Sequence, residues 1–220
     1  MTKREPPSTD AAAERLLATA RAMNEQGLNR GTAGNVSVRR GGGAMLVTPS
    51  GLPFERCTVD DMVPVDAFGR ANGAREASSE WRIHFDVYRA HPEAGAILHA
   101  HPPFATALAC QRRPIPPFHY MVARFGGSDV RCAEYHTFGT QALSDAVVRA
   151  LDGRRACLLA NHGMVVAGDD LAHALALAIE FEALCQHYLL SCQFGQPVLL
   201  DGDEMREVIA RFASYGQVRD

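Results

Sequence analysis

The chain has 220 residues and a formal net charge of −3; 47% of its residues are hydrophobic and 21% are charged. This length fits one large domain or two small ones, and the negative charge, without any run of Lys or Arg, argues against a nucleic-acid-binding protein. No segment reaches the ~18 uninterrupted apolar residues of a membrane span, and the N-terminus lacks the apolar core of a signal peptide. The six cysteines form no CxxC pair, so we predict a cytoplasmic protein with reduced thiols and no membrane association.

The first part of the chain shows a helical pattern followed by two strands. Apolar residues at helical spacing predict a helix over residues 10–27, with Asp10 as its N-cap and Gly27 as its stop. Between residues 34 and 51, two short runs predict β-strands on either side of the three glycines at 41–43. These runs are NVSVR and AMLVT.

The middle of the chain predicts a second helix and a strand. The helix covers residues 78–91, is opened by Ser78 and Ser79, and ends before Pro92. The strand is the apolar run AGAILHAH at 94–101.

The last third predicts one more strand and a long helix. The strand is CLLAN at 157–161, which runs into a turn at His162–Gly163. The helix over 170–192 is apolar almost all round, as expected for burial between layers or subunits. Helices that flank strands throughout predict an α/β protein in which helices cover a central sheet, with the strand order left open.

Two histidines at the end of an apolar run indicate a metal site. Alternate side chains of a strand share a face, so His99 and His101 point the same way. His162 follows the strand CLLAN directly, and Glu80 is predicted to lie one turn into the helix that the serines open. A carboxylate with three imidazoles is an open ligand set suited to Zn²⁺, which polarises a carbonyl as a Lewis acid.

The other histidines are weaker candidates. His84 lies four residues after Glu80 on the same helical face, which makes it a reserve ligand. We expect the remaining ones to be structural or solvent-facing: His91, His119, His136, His173 and His187. The spacing is not HExxH, which excludes a metalloprotease helix.

Three stretches of small residues offer backbone N–H and hydroxyl groups to an anion. They are GTAGN at 31–35, TPSG at 48–51 and the serine pair at 78–79. Glycine lets the backbone approach an anion closely, so together these stretches could hold one phosphate without Lys or Arg. None of them is a nucleotide P-loop or a dinucleotide-binding turn.

A family resemblance rests on six motifs in this order: GTAGNVSVR, LVTPSG, SSEWRIHFDVYRAHPEAGAILHAH, PPFHYM, TFGT and LLANHG. From about residue 10 to the C-terminus, the chain resembles the class II aldolase/adducin family, and within it the branch that cleaves L-fuculose 1-phosphate. The resemblance implies a single three-layer αβα domain over residues 1–220, with a central, mostly antiparallel sheet. It also implies a disordered segment at 1–9, a mobile tail at 210–220, and a homotetramer of fourfold symmetry with its sites at subunit interfaces.

The resemblance also implies roles for individual residues. It assigns zinc, or another divalent metal such as Mn²⁺ or Co²⁺, to Glu80, His99, His101 and His162. It assigns the substrate phosphate to Gly34, Asn35, Ser50, Gly51, Ser78 and Ser79, and places Thr32 and Phe138 in the substrate pocket. Glu80 becomes the general base, while Tyr120 and Tyr215 match tyrosines that act in a neighbouring subunit's site and on a mobile tail. Arg124 is expected to line the region that receives the aldehyde.

The implied activity is reversible cleavage of a ketose 1-phosphate to dihydroxyacetone phosphate and a small aldehyde, with L-lactaldehyde from L-fuculose 1-phosphate first. The only lysine is Lys3, which agrees with an aldolase that needs no Schiff base. The alternatives on the same scaffold are a sugar-acid phosphate decarboxylase, a pentulose-phosphate 4-epimerase, and an aldolase for 5-deoxy- or methylthio-ribulose 1-phosphate. A non-catalytic adducin-like module is disfavoured because all four metal ligands are present.

Overall fold

The computed structural model describes residues 10–214, with side chains to residue 212, and builds one seven-stranded sheet from this part of the chain. In chain order the strands are β1 (Asn35–Arg39), β2 (Met45–Val47), β3 (Val63–Val65), β4 (Ala96–Ala100), β5 (Cys132–Ala133), β6 (Ala156–Leu159) and β7 (Gly163–Gly168). Their order across the sheet is β3-β2-β1-β4-β7-β6-β5. Only the β5–β6 pair is parallel, so the expected mostly antiparallel sheet is confirmed.

Six α-helices accompany the sheet within residues 10–214. They are α1 (Ala11–Glu25), α2 (Trp81–Ala90), α3 (Pro103–Ala109), α4 (Gln141–Leu151), α5 (Leu171–Cys192) and α6 (Gly202–Ser214). The helices predicted from the sequence correspond to α1, α2 and α5. Because α6 extends to Ser214, the first five residues of the expected mobile tail are helical. Residues 1–9 and 215–220 lie outside the described part of the chain.

Local sequence signals explain where two of these helices begin. The Asp10 side chain accepts a hydrogen bond from the backbone N–H of Ala12, which makes it the N-cap of α1 as predicted. Asp170 caps α5 in the same way through the N–H of His173. None of the helices in residues 10–214 is long and apolar enough to cross a membrane.

The helices cover the sheet on both faces, which confirms the three-layer arrangement. One apolar core lies between the sheet and α1, α3 and α5, and the other lies between the sheet and α2 and α4. The side chains of β4 alternate between the two cores: Leu98 packs in the first and Ile97 in the second. The same alternation puts His99 on the face that α2 covers.

Strand pairing brings the ends of three elements to one place. His99 on β4 lies opposite Asn35 on β1 and opposite Val165 on β7. The tight turn that joins β6 to β7 therefore lies beside the end of β4, and the residues that precede α2 lie over the same point. Several polar side chains lie close together at this point.

Candidate active site and metal centre

Four side chains from three parts of the chain converge at this edge of the sheet. Glu80 comes from the residue before α2, His99 from β4, His101 from the position after β4, and His162 from the β6–β7 turn. One ligand atom of each lies within 4.8 Å of every other. The structure therefore assembles the carboxylate and three imidazoles that the sequence predicted as a group.

The prediction that Glu80 lies one turn into its helix was wrong. Glu80 is the N-cap position of α2, with φ of −107°, and the helix begins only at Trp81. The serines form a turn instead of a first helical turn: the Ser78 hydroxyl accepts from the N–H of Glu80 (3.3 Å) and the Ser78 carbonyl accepts from the N–H of Trp81 (3.0 Å). Such local side-chain bonds compete with helix formation. As a result, the Glu80 carboxylate lies at the N-terminal end of α2, where it reaches the histidines.

The orientation of His99 suits a metal ligand. Its Nδ1–H donates to the carbonyl oxygen of Met164 at 2.9 Å, which leaves Nε2 facing the group. This Nε2 lies 3.0 Å from Oε2 of Glu80 and 2.9 Å from Nε2 of His101. Three lone-pair-bearing atoms at such short separations repel one another unless a proton or a cation lies between them.

The other carboxylate oxygen of Glu80 gives an independent test of the fit. Oε1 is buried and has no hydrogen-bond partner among the described residues, and it lies 3.4 Å from Nε2 of His162. A buried carboxylate oxygen without a partner is costly unless something positive satisfies it. The donor set, one carboxylate and three imidazoles, is typical of a divalent transition-metal site with an open position. The residues present therefore fit a bound divalent cation.

Electrostatics leave two imidazoles neutral in the metal-free protein. Burial, and then the charge of His99, lower the pKa of His101 to about 3 and that of His162 to about 4. Burial acts the same way on His99, but the adjacent Glu80 carboxylate outweighs it and raises the pKa of His99. Burial would raise the pKa of Glu80, yet the imidazoles, His99 foremost, lower it to about 2. The metal-free group thus holds one proton between His99 and Glu80, and a cation that binds there displaces it.

His84, the reserve ligand, is not part of the group. Its ring is fully buried, and both nitrogens are used: Nε2 lies 2.5 Å from Oδ1 of Asn35 and Nδ1 lies 2.7 Å from Oγ of Ser37. The i, i+4 spacing from Glu80 does not bring it to the cation site, because Glu80 precedes the helix, which begins at Trp81.

A cavity of about 320 Å³ opens beside the metal group. All three small-residue stretches line it, and so do the residues that the resemblance assigns to the phosphate and the substrate pocket. These residues are Thr32, Gly34, Asn35, Ser50, Gly51, Ser78, Ser79 and Phe138. Gly34 and Gly51 both have left-handed backbone conformations, with φ of 74° and 67°. The stretches that are far apart in the sequence therefore face one pocket together with Glu80, His101 and His162.

The cavity also has lining residues that the sequence analysis missed. They are Tyr135, His136 and Asn161, whereas Ala33 and Pro49 belong to two of the small-residue stretches. Asn161 directly precedes His162 and has a positive φ of 54°, and its Oδ1 accepts from Arg112. For two of these residues the sequence offered a signal that they lie at the pocket: Tyr135 and His136 directly precede the TFGT motif.

Two expected residues, Tyr120 and Arg124, are not at this cavity within one chain. Tyr120 is 51% exposed and lies on a separate surface, where its ring stacks on Phe212. Arg124 pairs with Glu180 at 3.1 Å and lies over the same Phe212 ring. Tyr215 lies outside the described residues, so its role stays a prediction.

The fold and the Glu–His₃ group together define a metal-dependent lyase of the class II aldolase type. The model of the family described as "Class II Aldolase and Adducin N-terminal domain" matches residues 14–189. The chain belongs to this family.

Individual relatives carry aldolase names. The chain is 47% identical over 211 residues to a 5-methylthioribulose-1-phosphate/5-deoxyribulose-1-phosphate aldolase of Rhodospirillum rubrum, with 96% of this chain and 95% of that protein covered. It is 42% identical over 205 residues to the L-fuculose phosphate aldolase of Escherichia coli K12, with 93% and 95% covered. Among solved structures, an L-fuculose 1-phosphate aldolase superposes with a TM-score of 0.90 at 39% identity, with 94% of this chain and 98% of that chain covered.

Proposed function

We propose that this protein cleaves a ketose 1-phosphate reversibly to dihydroxyacetone phosphate and a small aldehyde. The observation that carries this proposal is one cavity in which a Glu–His₃ group faces three stretches of small residues. The Glu–His₃ group can hold a divalent cation, and the stretches of small residues can hold a phosphate. A substrate that reaches both needs a phosphate a few atoms away from a carbonyl and a hydroxyl, as in a ketose 1-phosphate.

The proposed cation is Zn²⁺, with Mn²⁺ or Co²⁺ as other divalent metals that the ligand set accepts. When bound, such a cation supplies Lewis acidity to the substrate carbonyl, which makes the neighbouring C–H more acidic. His99, His101 and His162 hold the cation through Nε2. The Met164 carbonyl keeps the first of these rings in the required tautomer.

Glu80 is the proposed general base. Glu80 lines the cavity, and its buried Oε1 has no hydrogen-bond partner among the described residues, so this oxygen would be free to accept a proton from the substrate. In the condensation direction, Glu80 takes a proton from the hydroxyl-bearing carbon of dihydroxyacetone phosphate. In the cleavage direction, it returns that proton.

The phosphate is proposed to bind without a charged side chain. None of the described residues that line the cavity is Lys or Arg. The donors are the backbone N–H groups of Gly34 and Gly51, the side-chain amide of Asn35, and the hydroxyls of Ser50, Ser78 and Ser79. These neutral donors orient the phosphate, while the cation supplies the positive charge at the site.

Two tyrosines are proposed to take part in the reaction, Tyr120 across a subunit boundary and Tyr215 from the C-terminal tail. Tyr120 is exposed and outside the cavity of its own chain, so it can take part in the reaction only in a neighbouring copy's site. We therefore keep the expectation of a homotetramer with sites at subunit interfaces. In this arrangement, Tyr120 protonates the aldehyde oxygen, and Tyr215 is the second proposed catalytic tyrosine.

Two classes of aldehyde remain candidates. L-Lactaldehyde is the product from L-fuculose 1-phosphate, the substrate named in the 42% identical relative. The 47% identity to the methylthioribulose-phosphate enzyme favours a second candidate, acetaldehyde or (methylthio)acetaldehyde. Exposed aromatic side chains at the cavity, Tyr135 and Phe138, suit an apolar aldehyde tail of this kind.

A condensation assay tests the function directly. The zinc-loaded protein is mixed with dihydroxyacetone phosphate and each of L-lactaldehyde, glycolaldehyde, acetaldehyde and (methylthio)acetaldehyde, and the products are identified by NMR. We expect a ketose 1-phosphate from at least one of them. If no carbon–carbon bond forms with any aldehyde, and CO₂ is released from a sugar-acid phosphate, the protein is a decarboxylase instead.

Glu80→Gln tests the role of the base. Loss of a general base costs about 10²–10⁴-fold in rate, so we expect the variant to exchange deuterium into dihydroxyacetone phosphate that much more slowly. Glu182→Gln is the control: this carboxylate lies on α5 and accepts from the backbone N–H groups of Phe104 and Ala105, away from the cavity. Wild-type exchange by Glu80→Gln would place the base elsewhere.

A further inference from the structure

A line of buried polar side chains leads from the metal group into the layer between α2 and the sheet. Its members are Glu80, Asn35, His84, Ser37 and Tyr88, none more than 6% exposed. Nδ2 of Asn35 lies 3.3 Å from Oε2 of Glu80, and Oδ1 of Asn35 lies 2.5 Å from Nε2 of His84. On the far side, Oγ of Ser37 lies 2.7 Å from Nδ1 of His84 and 2.8 Å from the Tyr88 hydroxyl.

Two regular elements build this line. His84 and Tyr88 are four residues apart on α2 and so share one side of the helix, and Glu80 stands at its N-cap. Asn35 and Ser37 alternate along β1 and point to the same face of the sheet. Helix and strand therefore meet through a polar seam in a layer that is otherwise apolar.

The carboxylate determines the direction of every hydrogen bond in the seam. An ionised carboxylate only accepts, so the Asn35 amide must turn its NH₂ group towards Glu80 and its oxygen towards His84. His84 then has to carry its proton on Nε2. Its bare Nδ1 accepts from Ser37, whose oxygen in turn accepts from Tyr88. With this one assignment, each of the four hydrogen bonds from Tyr88 to Glu80 has one donor and one acceptor.

We propose that His84 is a positioning residue, which, backed by Ser37 and Tyr88, holds the Asn35 amide so that its N–H fixes the orientation of the Glu80 carboxylate. Groups behind a metal ligand that fix its orientation typically change metal affinity 10–100-fold when removed. The effect of His84 on metal affinity depends only on the Glu–His₃ group. An effect of His84 on proton transfer would also rest on the proposed function.

The first test uses the metal-free wild-type protein with ¹⁵N-labelled histidine rings. The two-bond ¹H–¹⁵N spectrum distinguishes the two neutral tautomers, and His84→Gln identifies the His84 signals by their loss. We expect the Nε2–H tautomer. An Nδ1–H tautomer would reverse every bond of the seam and overturn the proposal.

The second test measures Co²⁺ affinity by competition with a chelator, together with the visible Co²⁺ spectrum. His84→Leu removes the donor to Asn35, so we expect a 10–100-fold loss of affinity and an altered spectrum. His84→Gln keeps an N–H at the position of Nε2 and should stay within a few-fold of wild type. Ser144→Ala is the control, because this buried serine also bonds to α2 but on the α4 side, at Arg82 and Asp86.

Wild-type affinity and spectrum in a folded His84→Leu protein would refute the positioning role. If that variant does not fold, as judged by circular dichroism, Tyr88→Phe and Ser37→Ala remove single bonds further along the seam. Both are then expected to weaken Co²⁺ binding by a smaller factor, and unchanged affinity in both would refute the role equally. Neither test involves a sugar phosphate, so failure of the aldolase assay and failure of this proposal are separate results.

Discussion

Each imidazole of the metal group is oriented by a different local structure. His99 is held by the Met164 carbonyl across the β4–β7 pair. The backbone N–H of His101 donates to Oδ1 of Asn29, which fixes the chain just beyond the strand. His162 follows Asn161, whose left-handed conformation turns the chain sharply between β6 and β7. The ligand types were readable from the sequence, but the supports of His99 and His101 join residues far apart in the chain.

Removal of one imidazole should weaken metal binding while the fold persists. In His162→Ala, the cation loses one of four ligands, and the side chain lies in a turn at the mouth of the cavity, where its removal leaves the core intact. We expect at least a 10-fold loss of Zn²⁺ affinity, measured by chelator competition and metal analysis after dialysis. His91→Ala is the matched control, since His91 follows α2 and contacts Glu93 instead of the group. Full zinc occupancy in His162→Ala would remove His162 from the ligand set.

At the scale of elements, the turn between β6 and β7 depends on a glycine. A Cβ at Gly163 would overlap the carbonyl oxygen of Ala100 and lie 2.6 Å from Cδ2 of His101. Real Cβ atoms do not approach other atoms this closely, so any side chain at this position forces β4 and β7 apart or displaces the His101 ring. The close packing of the two strand ends is thus part of the metal site.

Gly163→Ala should therefore disturb both stability and metal binding. We expect a lower urea midpoint and at least a 10-fold lower Zn²⁺ affinity, because the ring of His101 must move. Gly41→Ala provides the comparison: a Cβ there meets nothing within 4 Å and the backbone has no positive φ, so it should behave as wild type. Equal metal affinity in the two variants would show that His101 tolerates the shift.

Several elements were not predicted from the sequence, for different physical reasons. The helix α3 has seven residues, and its first N–H groups are bound by the Glu182 carboxylate on α5, a contact made only in the folded chain. The strand β5 has two residues and exists through its pairing with β6. By contrast, α4 carries a local signal in the sequence, since the Thr140 side chain caps it.

At the scale of the whole molecule, histidines that stay neutral on folding couple stability to pH. Burial lowers the pKa of His84 to about 3, and those of His101 and His162 lie at about 3 and 4. An unfolded chain protonates these rings near pH 6.5. Between pH 6.5 and 4.5 the unfolded state thus binds more protons than the folded state, and the free energy of unfolding falls as the pH falls. The raised pKa of His99 acts in the opposite direction near the upper end of this window, where the unfolded ring is only partly protonated, and this effect fades as the pH falls.

The expected result is a urea midpoint that decreases from pH 6.5 to pH 4.5 in metal-free protein, measured with a chelator present at constant protein concentration. His84→Gln removes one of the three groups, so its midpoint should depend less steeply on pH. A midpoint that is flat over this window in the wild type would contradict the neutral state of these imidazoles.

The sequence by itself determined the chemistry of the site and the class of the fold. Strand alternation put His99 and His101 on one face, and the types of residue at positions 80 and 162 completed the ligand set. The α/β pattern and the helices α1, α2 and α5 follow from local periodicity and capping, which act over a few residues. The three small-residue stretches were also visible as anion-binding candidates.

Only the tertiary structure decided how these parts come together. The strand order β3-β2-β1-β4-β7-β6-β5 places Asn35 opposite His99, which turns a presumed phosphate ligand into a partner of Glu80 and His84 as well. Because α2 starts at Trp81 and not at the serines, Glu80 lies at the N-cap of the helix. Both outcomes depend on pairing and packing between segments that are tens of residues apart, which local patterns do not encode.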